Sequence, residues 1–224
     1  MEHDIFEEDR KQFQLERLIL FSDAVFAIAI TLLVLDIKVP SSDWSKQISS
    51  AELRDYIIKI IPNIFGYFFS FFLIGFYWTI HHRIFGYAKA YDGLIIWLNL
   101  LMLCFIAVLP FTTSLTSEYG YLSEPFIFYW LNVGLIGVFS YFIQLHITNP
   151  RKKLSQGFKS EKQRKFALGR SLYTSLVFFL GAVFASSNNP SLQFFSKYIY
   201  ILIFPGLMIL RKLYGEKKSK VKHD

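Results

Sequence analysis

The sequence predicts an all-α, polytopic membrane protein with six transmembrane helices per subunit. Three observations carry this reading. The 224 residues are 53% apolar and 19% aromatic, with 25 phenylalanines, more than a water-soluble interior of this size can hide. Only 18% are charged, where soluble domains average about 25%, and the mean hydropathy is positive at +0.36. Finally, six stretches reach the roughly 20 apolar residues that a helix needs to cross a hydrocarbon core of about 30 Å. This composition excludes a disordered chain, a collagen-like chain and a secreted disulfide scaffold. Cys104 is the single cysteine, so no intrachain disulfide is possible.

In chain order the spans are expected near Leu18–Val39, Ile57–Ile80, Leu94–Leu115, Phe126–Ile147, Phe166–Ala185 and Phe194–Leu210. The breaks carry loop chemistry: Pro40-Ser41-Ser42-Asp43, His81 to Asp92, Ser117-Glu118-Tyr119-Gly120, the basic run after Asn149-Pro150, and Ser186 to Pro190. Pro62 and Pro205-Gly206 fall inside spans and predict kinks there, because neighbouring helices can re-satisfy the freed carbonyls. The first span is read as a retained helix: it is too long for a signal peptide, Asp23 interrupts it, and an acidic segment precedes it. The chain divides into a cytoplasmic N-terminal segment at 1–16, a six-helix transmembrane domain at 17–211 and a basic cytoplasmic tail at 212–224.

Lys and Arg set the orientation, since loops retained in the cytoplasm carry the excess. With six spans both termini share a side, and that side holds nineteen of the 24 basic residues. The other five are Lys38, Lys46, Arg54, Lys59 and Lys197. The expectation is a multi-pass protein of the cell membrane with both termini cytoplasmic. The formal charge of +7 then reports topology, and no nucleic-acid partner is expected, because no DNA-binding motif accompanies the basic loop from Arg151 to Arg170 or the Lys-rich tail.

The first span holds the informative chemistry. Taking 100° per residue from Arg17, the residues Ala24, Ile28, Thr31, Leu32 and Leu35 fall within roughly 60° of one line, while Ser22 and Asp23 lie at about 140° and 240°. The apolar stripe and the polar pair therefore serve different surfaces. A carboxylate within a span needs a protein partner or water. At the same depth lie Trp78, His81 and His82 at the end of the second span and Asn99 near the start of the third. With Arg17, Ser22 and Asp23 they are expected to form a structural polar network. Adjacent histidines point about 100° apart on a helix, so a shared metal is not expected.

Arg17-x-x-x-Phe21-Ser22-Asp23, followed by Phe76-Tyr77-Trp78-x-x-His81-His82-Arg83, Trp97-Leu98-Asn99-Leu100 and Leu109-Pro110-Phe111-Thr112, resembles the prokaryotic branch of the lysosomal potassium channel family (transmembrane protein 175). The motifs cover the first three spans in the expected order, and the last three match only as hydrophobic helices. The resemblance implies a potassium-permeable cation channel whose first helix lines a central pore. Animal members carry two six-helix units per chain; a single unit, as here, implies a homotetramer. Carried over by position, the hydrophobic constriction falls on Ile28, five residues after Asp23, with Leu32 and Leu35 continuing it. The layer associated with selectivity falls on Thr31.

The implied partners are further copies of the chain, permeant K+ and membrane lipids, with no cofactor. The chain has no Thr-Val-Gly-Tyr-Gly filter and no voltage-sensor pattern of regularly spaced arginines. An enzyme is not expected, since no nucleophile and base are presented together. The alternative is a proton-coupled or proton-conducting transporter using Asp23, His81 and His82, although the hydropathy pattern shows neither repeated halves nor helices broken at mid-membrane.

Overall fold

Capping chemistry sets most helix starts. The computed structural model describes residues 2–39, 48–155 and 160–214, and gives only the backbone of residues 2–9 and 11. The loop at Pro40–Asp43, Lys46, Lys159 and the tail from residue 215 lie outside the described residues. Among the described residues seven α-helices follow in order: α1 (Glu2–Leu32), α2 (Ser50–Phe85), α3 (Gly93–Glu118), α4 (Glu124–Ile147), α5 (Glu161–Ala185), α6 (Pro190–Ser196) and α7 (Ile203–Tyr214). Ser49 and Glu52 form a reciprocal capping box at α2. Asp92, Ser160 and Asn189 cap α3, α5 and α6 through their side chains. Each satisfies a backbone N–H that the first helical turn leaves without a partner.

Among the described residues five helices are long and apolar enough to cross a membrane, and the bent pair of α6 and the segment to Tyr214 passes the same test only when its two parts are taken together. The chain is thus a multi-pass, all-helical membrane protein. α4 lies between α3 and α5, α1 packs on α3 and α2, and α5 carries α6 and α7. The buried centre is aromatic and branched aliphatic: Trp130 stacks on Phe178 with ring centroids 5.5 Å apart, beside Tyr77 and Ile136. Lipid tails are as apolar as leucine, so these helices associate through close packing and hydrogen bonds. Gly137 shows how close: a Cβ there would lie 2.2 Å from the Ser175 Oγ on α5 and 3.1 Å from the Tyr77 hydroxyl on α2.

Three expectations are corrected. α1 ends at Leu32 and continues as a 3-10 turn over Leu33–Asp36, not as α-helix to Val39. α2 has 36 residues, about 54 Å at 1.5 Å per residue, so it projects beyond any hydrocarbon core. Pro62 lies within it without ending it. The sixth span breaks well before Pro205-Gly206: α6 stops at Ser196, a 3-10 turn covers Ile199–Leu202, and the two parts meet at 64°.

The break has two physical causes. Lys197, a cation in an otherwise uncharged segment, donates to the Gly120 carbonyl at 2.6 Å and lies 5.2 Å from the centre of the Phe126 ring, which draws the chain toward the α3–α4 turn. Downstream, Tyr173 donates its hydroxyl to the Leu202 carbonyl at 2.7 Å. Gly206 leaves room for that ring, since a Cβ there would sit 2.0 Å from it.

Gly137→Val is expected to lower the stability of the detergent-solubilised protein by about 1–3 kcal/mol, the usual cost of forcing extra methyl groups into a filled interface. Thermal unfolding of the variant beside the parent reads this directly, and an unchanged midpoint would show that α4 and α5 are not in register at this glycine.

Candidate functional site

α1 presents two opposed faces. Leu15, Ser22, Phe26, Ala29 and Leu33 are buried against α2 and α3. On the other side Ile28, Leu32 and Leu35 are 58%, 43% and 69% exposed, and Ala24 and Thr31 are exposed with them. The α-helical part of the stripe read from the sequence is therefore left uncovered by the subunit itself. Leu35 sits in the 3-10 turn, where each residue advances about 120° instead of 100°, so three steps from Leu32 bring it back over Leu32 and it stays on the uncovered side. Thr31 donates its hydroxyl to the Ile28 carbonyl at 2.9 Å, which leaves only acceptor lone pairs on its outward oxygen.

The inner half of α1 is fixed by a directional chain of hydrogen bonds. Ser22 Oγ donates to the Leu18 carbonyl at 2.8 Å and accepts from Asn99 Nδ2 at 2.9 Å. Asn99 Oδ1 lies 2.9 Å from His81 Nε2. Because the Ser22 hydroxyl proton is committed, the Asn99 amide must donate to it, its oxygen must accept, and the proton on His81 is assigned to Nε2. Ser22, Asn99 and His81 are at most 1% exposed, and the imidazole lies between the rings of Phe26 and Phe85 at 5.5 and 4.4 Å.

A second cluster lies nearer the surface. Trp78 Nε1 donates to Asp23 Oδ1 at 2.9 Å, and the indole stacks on His82 with centroids 5.5 Å apart. His81 and His82 thus point to different surroundings. Six of the seven residues expected in one network fall into these two groups, and Arg17 joins neither. Arg17 is exposed and has no hydrogen-bond or ion-pair partner among the described residues. On the helical wheel it lies on the side of the uncovered stripe, away from α2 and α3, which explains its exclusion.

A further attachment holds the outer end of α1. Asp36 accepts from Ser114 Oγ of α3 at 2.5 Å through one oxygen and from Asn63 Nδ2 of α2 at 3.3 Å through the other. The sequence reading missed it. The available signal was a carboxylate closing the first apolar span opposite polar residues at matching depth in the second and third. At the opposite end of the bundle Asp92 Oδ2 is 2.7 Å from His146 Nε2. Burial alone would raise the Asp92 carboxyl, but the hydrogen bonds from His146 and the Ile95 backbone, with Lys152 nearby, hold it below the ordinary carboxylate value. No group of three or more His, Cys, Asp or Glu side chains suited to a metal ion occurs among the described residues.

A family model described as endosomal/lysosomal potassium channel TMEM175 matches residues 17–110. A potassium channel of Chryseobacterium sp. (strain P1-3) is 30% identical over 190 residues, covering 84% of this chain and 91% of that protein. The chain belongs to the TMEM175 family. A potassium channel of Streptomyces collinus is 42% identical over 99 residues, 44% of this chain, and the match spans 46% of that protein's length. The crystal structure of a lysosomal potassium-selective channel TMEM175 homologue from Chamaesiphon minutus shares the fold, with a TM-score of 0.71 at 24% identity, over 89% of this chain and 99% of that one. The matched window of the TMEM175 model contains every candidate residue named above from Arg17 to Asn99, and it ends at Pro110 in α3.

Asn99→Leu is expected to destabilise the protein by about 1–3 kcal/mol, since it strands the Ser22 oxygen and the His81 N–H in a buried site. Adding Ser22→Ala to that variant should cost less than Ser22→Ala alone, because their shared bond is already lost. A double-mutant cycle of unfolding in detergent checks both; strict additivity would break the chain as drawn.

Proposed function

We propose that the protein is a potassium-permeable cation channel in which α1 of four subunits surrounds a central pore. Besides the naming of its relatives, the observation that carries this reading is the division of α1: one face is buried and hydrogen-bonded within the subunit, and the opposite face offers Ile28, Thr31 and Leu32 to something outside it.

Four Ile28 side chains form the hydrophobic constriction, with Leu32 and Leu35 extending the apolar line outward. Such a ring excludes ions while it is too narrow to stay wet and conducts once it hydrates. Thr31 supplies the selectivity layer. Its proton is spent on the Ile28 carbonyl, so four oxygens turn lone pairs to the axis, which favours cations. Without a carbonyl filter, preference for K+ over Na+ should be modest. The protein sits in the cell membrane with both termini cytoplasmic, following its basic residues. Residues 1–16 are the cytoplasmic segment, 17–211 the channel domain and 212–224 the basic tail. α7 runs across the last boundary to Tyr214, and the tail beyond it lies outside the described residues.

The proton-transport alternative is the weaker reading because its relay is divided. The broken sixth span removes the objection that no span is interrupted, but Asp23 and His81 belong to separate hydrogen-bonded groups, so the three residues offer no continuous relay.

Two experiments test the proposal. In liposomes the protein should pass K+ down its gradient without an imposed pH gradient. Ile28→Asn should raise that flux about tenfold or more, a barrier reduction of ~1.4 kcal/mol. Flux that depends strictly on a proton gradient, or that ignores Ile28→Asn, would sink the channel reading. Asp23→Ala, which strips the partner from Trp78 beside the proposed interface, should lower the tetramer fraction in size-exclusion chromatography. Full assembly with lost conduction would move Asp23 into the pore.

A further inference from the structure

A cavity of about 1040 Å³ opens at the end of the bundle where α1 and α3 finish and α2 and α4 begin. Its volume is at the upper limit of sites that take small molecules. Three features of its lining point to a ligand. Lys38, Lys59 and Lys197 all line it, so three of the five basic residues on this sparsely charged side converge on one space. They face two carboxylates, and one of these, Asp36, has both oxygens already engaged. Trp130 also lines the cavity, is 2% exposed, and carries an indole N–H with no acceptor among the described residues. The Ser117 hydroxyl oxygen, on another lining residue, is likewise buried without a partner among the described residues. A buried donor left unpaired is costly, and both residues belong to the wall of this cavity. The remaining wall is largely aromatic, with Phe65, Phe69 and Tyr198 among its members.

We propose that this cavity binds an anionic phospholipid of the outer leaflet. The phosphate lies by the rim ammonium groups of Lys38 and Lys59, the ester oxygens accept from Trp130 and Ser117, and the upper acyl chains lie against the aromatic wall. Lys197 is partly spent on Gly120 and Phe126 and contributes the weaker charge. The chemistry shared with a free phosphate ion is the oxyanion; what distinguishes a lipid is the apolar wall. Occupancy bears on α1 because Asp36, which ties the outer end of that helix to α2 and α3, is part of the same lining.

The test reads binding, so it is independent of whether the protein conducts. Full-length protein in a non-ionic detergent is titrated with dioctanoyl phosphatidylglycerol, dioctanoyl phosphatidylcholine or inorganic phosphate, and adducts are counted by native mass spectrometry. The expected result is saturable phosphatidylglycerol binding, one per subunit, about tenfold tighter than phosphatidylcholine. Lys38→Ala with Lys59→Ala should abolish that preference; both side chains are exposed, so the fold should survive. Trp130→Phe, which keeps the ring and removes the donor, should weaken both lipids. Equal retention of the two lipids by the parent protein would overturn the proposal. So would a preference that survives the lysine substitutions, unaltered lipid binding in Trp130→Phe, which would leave the indole to a water, or inorganic phosphate binding as well as phosphatidylglycerol, which would reveal a bare anion site.

Discussion

A polar group in hydrocarbon must find a partner inside the protein, and the position of α1 follows from that constraint. Ser22, Asp23 and Asp36 on the first span are each hydrogen-bonded to α2 or α3. The two ends of this arrangement lie about 20 Å apart along the helix. A rotation of α1 by one residue's 100° would strand all three groups at once, and the buried Phe26, Ala29 and Leu33 would leave their places as well. The uncovered face is therefore a consequence: once the polar residues are satisfied, Ile28, Thr31 and Leu32 have only one direction in which to point.

The rest of the bundle supplies a frame stiff enough to make those bonds specific. α4 sits between α3 and α5, and glycines at 134, 137 and 181 admit the side chains of neighbouring helices to the backbone itself. Buried hydroxyls join helices within the same frame: Thr113 on α3 donates to Ser70 on α2, which in turn pairs with the Tyr129 hydroxyl on α4. The family model stops at Pro110, yet the helices beyond it position the matched ones. The recognisable motif is thus concentrated in the helices that contact the proposed pore, and the supporting helices meet a looser requirement of shape and apolarity.

What could be read from sequence divides along the same physical line. Span number follows from hydropathy, because hydrocarbon thickness acts on every helix alike. The α1 stripe follows from a 3.6-residue period, and the pairing of Ser22 with Asn99 and His81 follows from equal depth. The failures came where local period or depth was not the deciding variable. Arg17 was grouped with the network by depth although its direction on the wheel excluded it. The break after Ser196 depends on Lys197 reaching Gly120, 77 residues earlier in the chain, a contact that no local pattern announces. The Asp36 attachment was overlooked because a carboxylate at a span's end is usually solvated, and only the folded chain shows it bonded to Asn63 and Ser114.

The two attachments also restrict how the proposed pore can widen. Rigid rotation of α1 would break the inner and outer bonds together, each worth about 0.5–1.5 kcal/mol and more for those to carboxylates, in four subunits at once. A change confined to Leu33–Asp36 is cheaper. The 3-10 form rises about 2.0 Å per residue against 1.5 Å in the α form, so converting this turn would move Asp36 by about 2 Å along the axis and break only its outer bonds to Ser114 and Asn63. It would leave Ser22, Asn99 and His81 untouched. The outer end of α1 is thus the softer joint, and the constriction at Ile28 lies between it and the fixed inner end, where a small tilt of the helix changes the spacing of the ring while the inner bonds of Ser22, Asn99 and His81 stay in place.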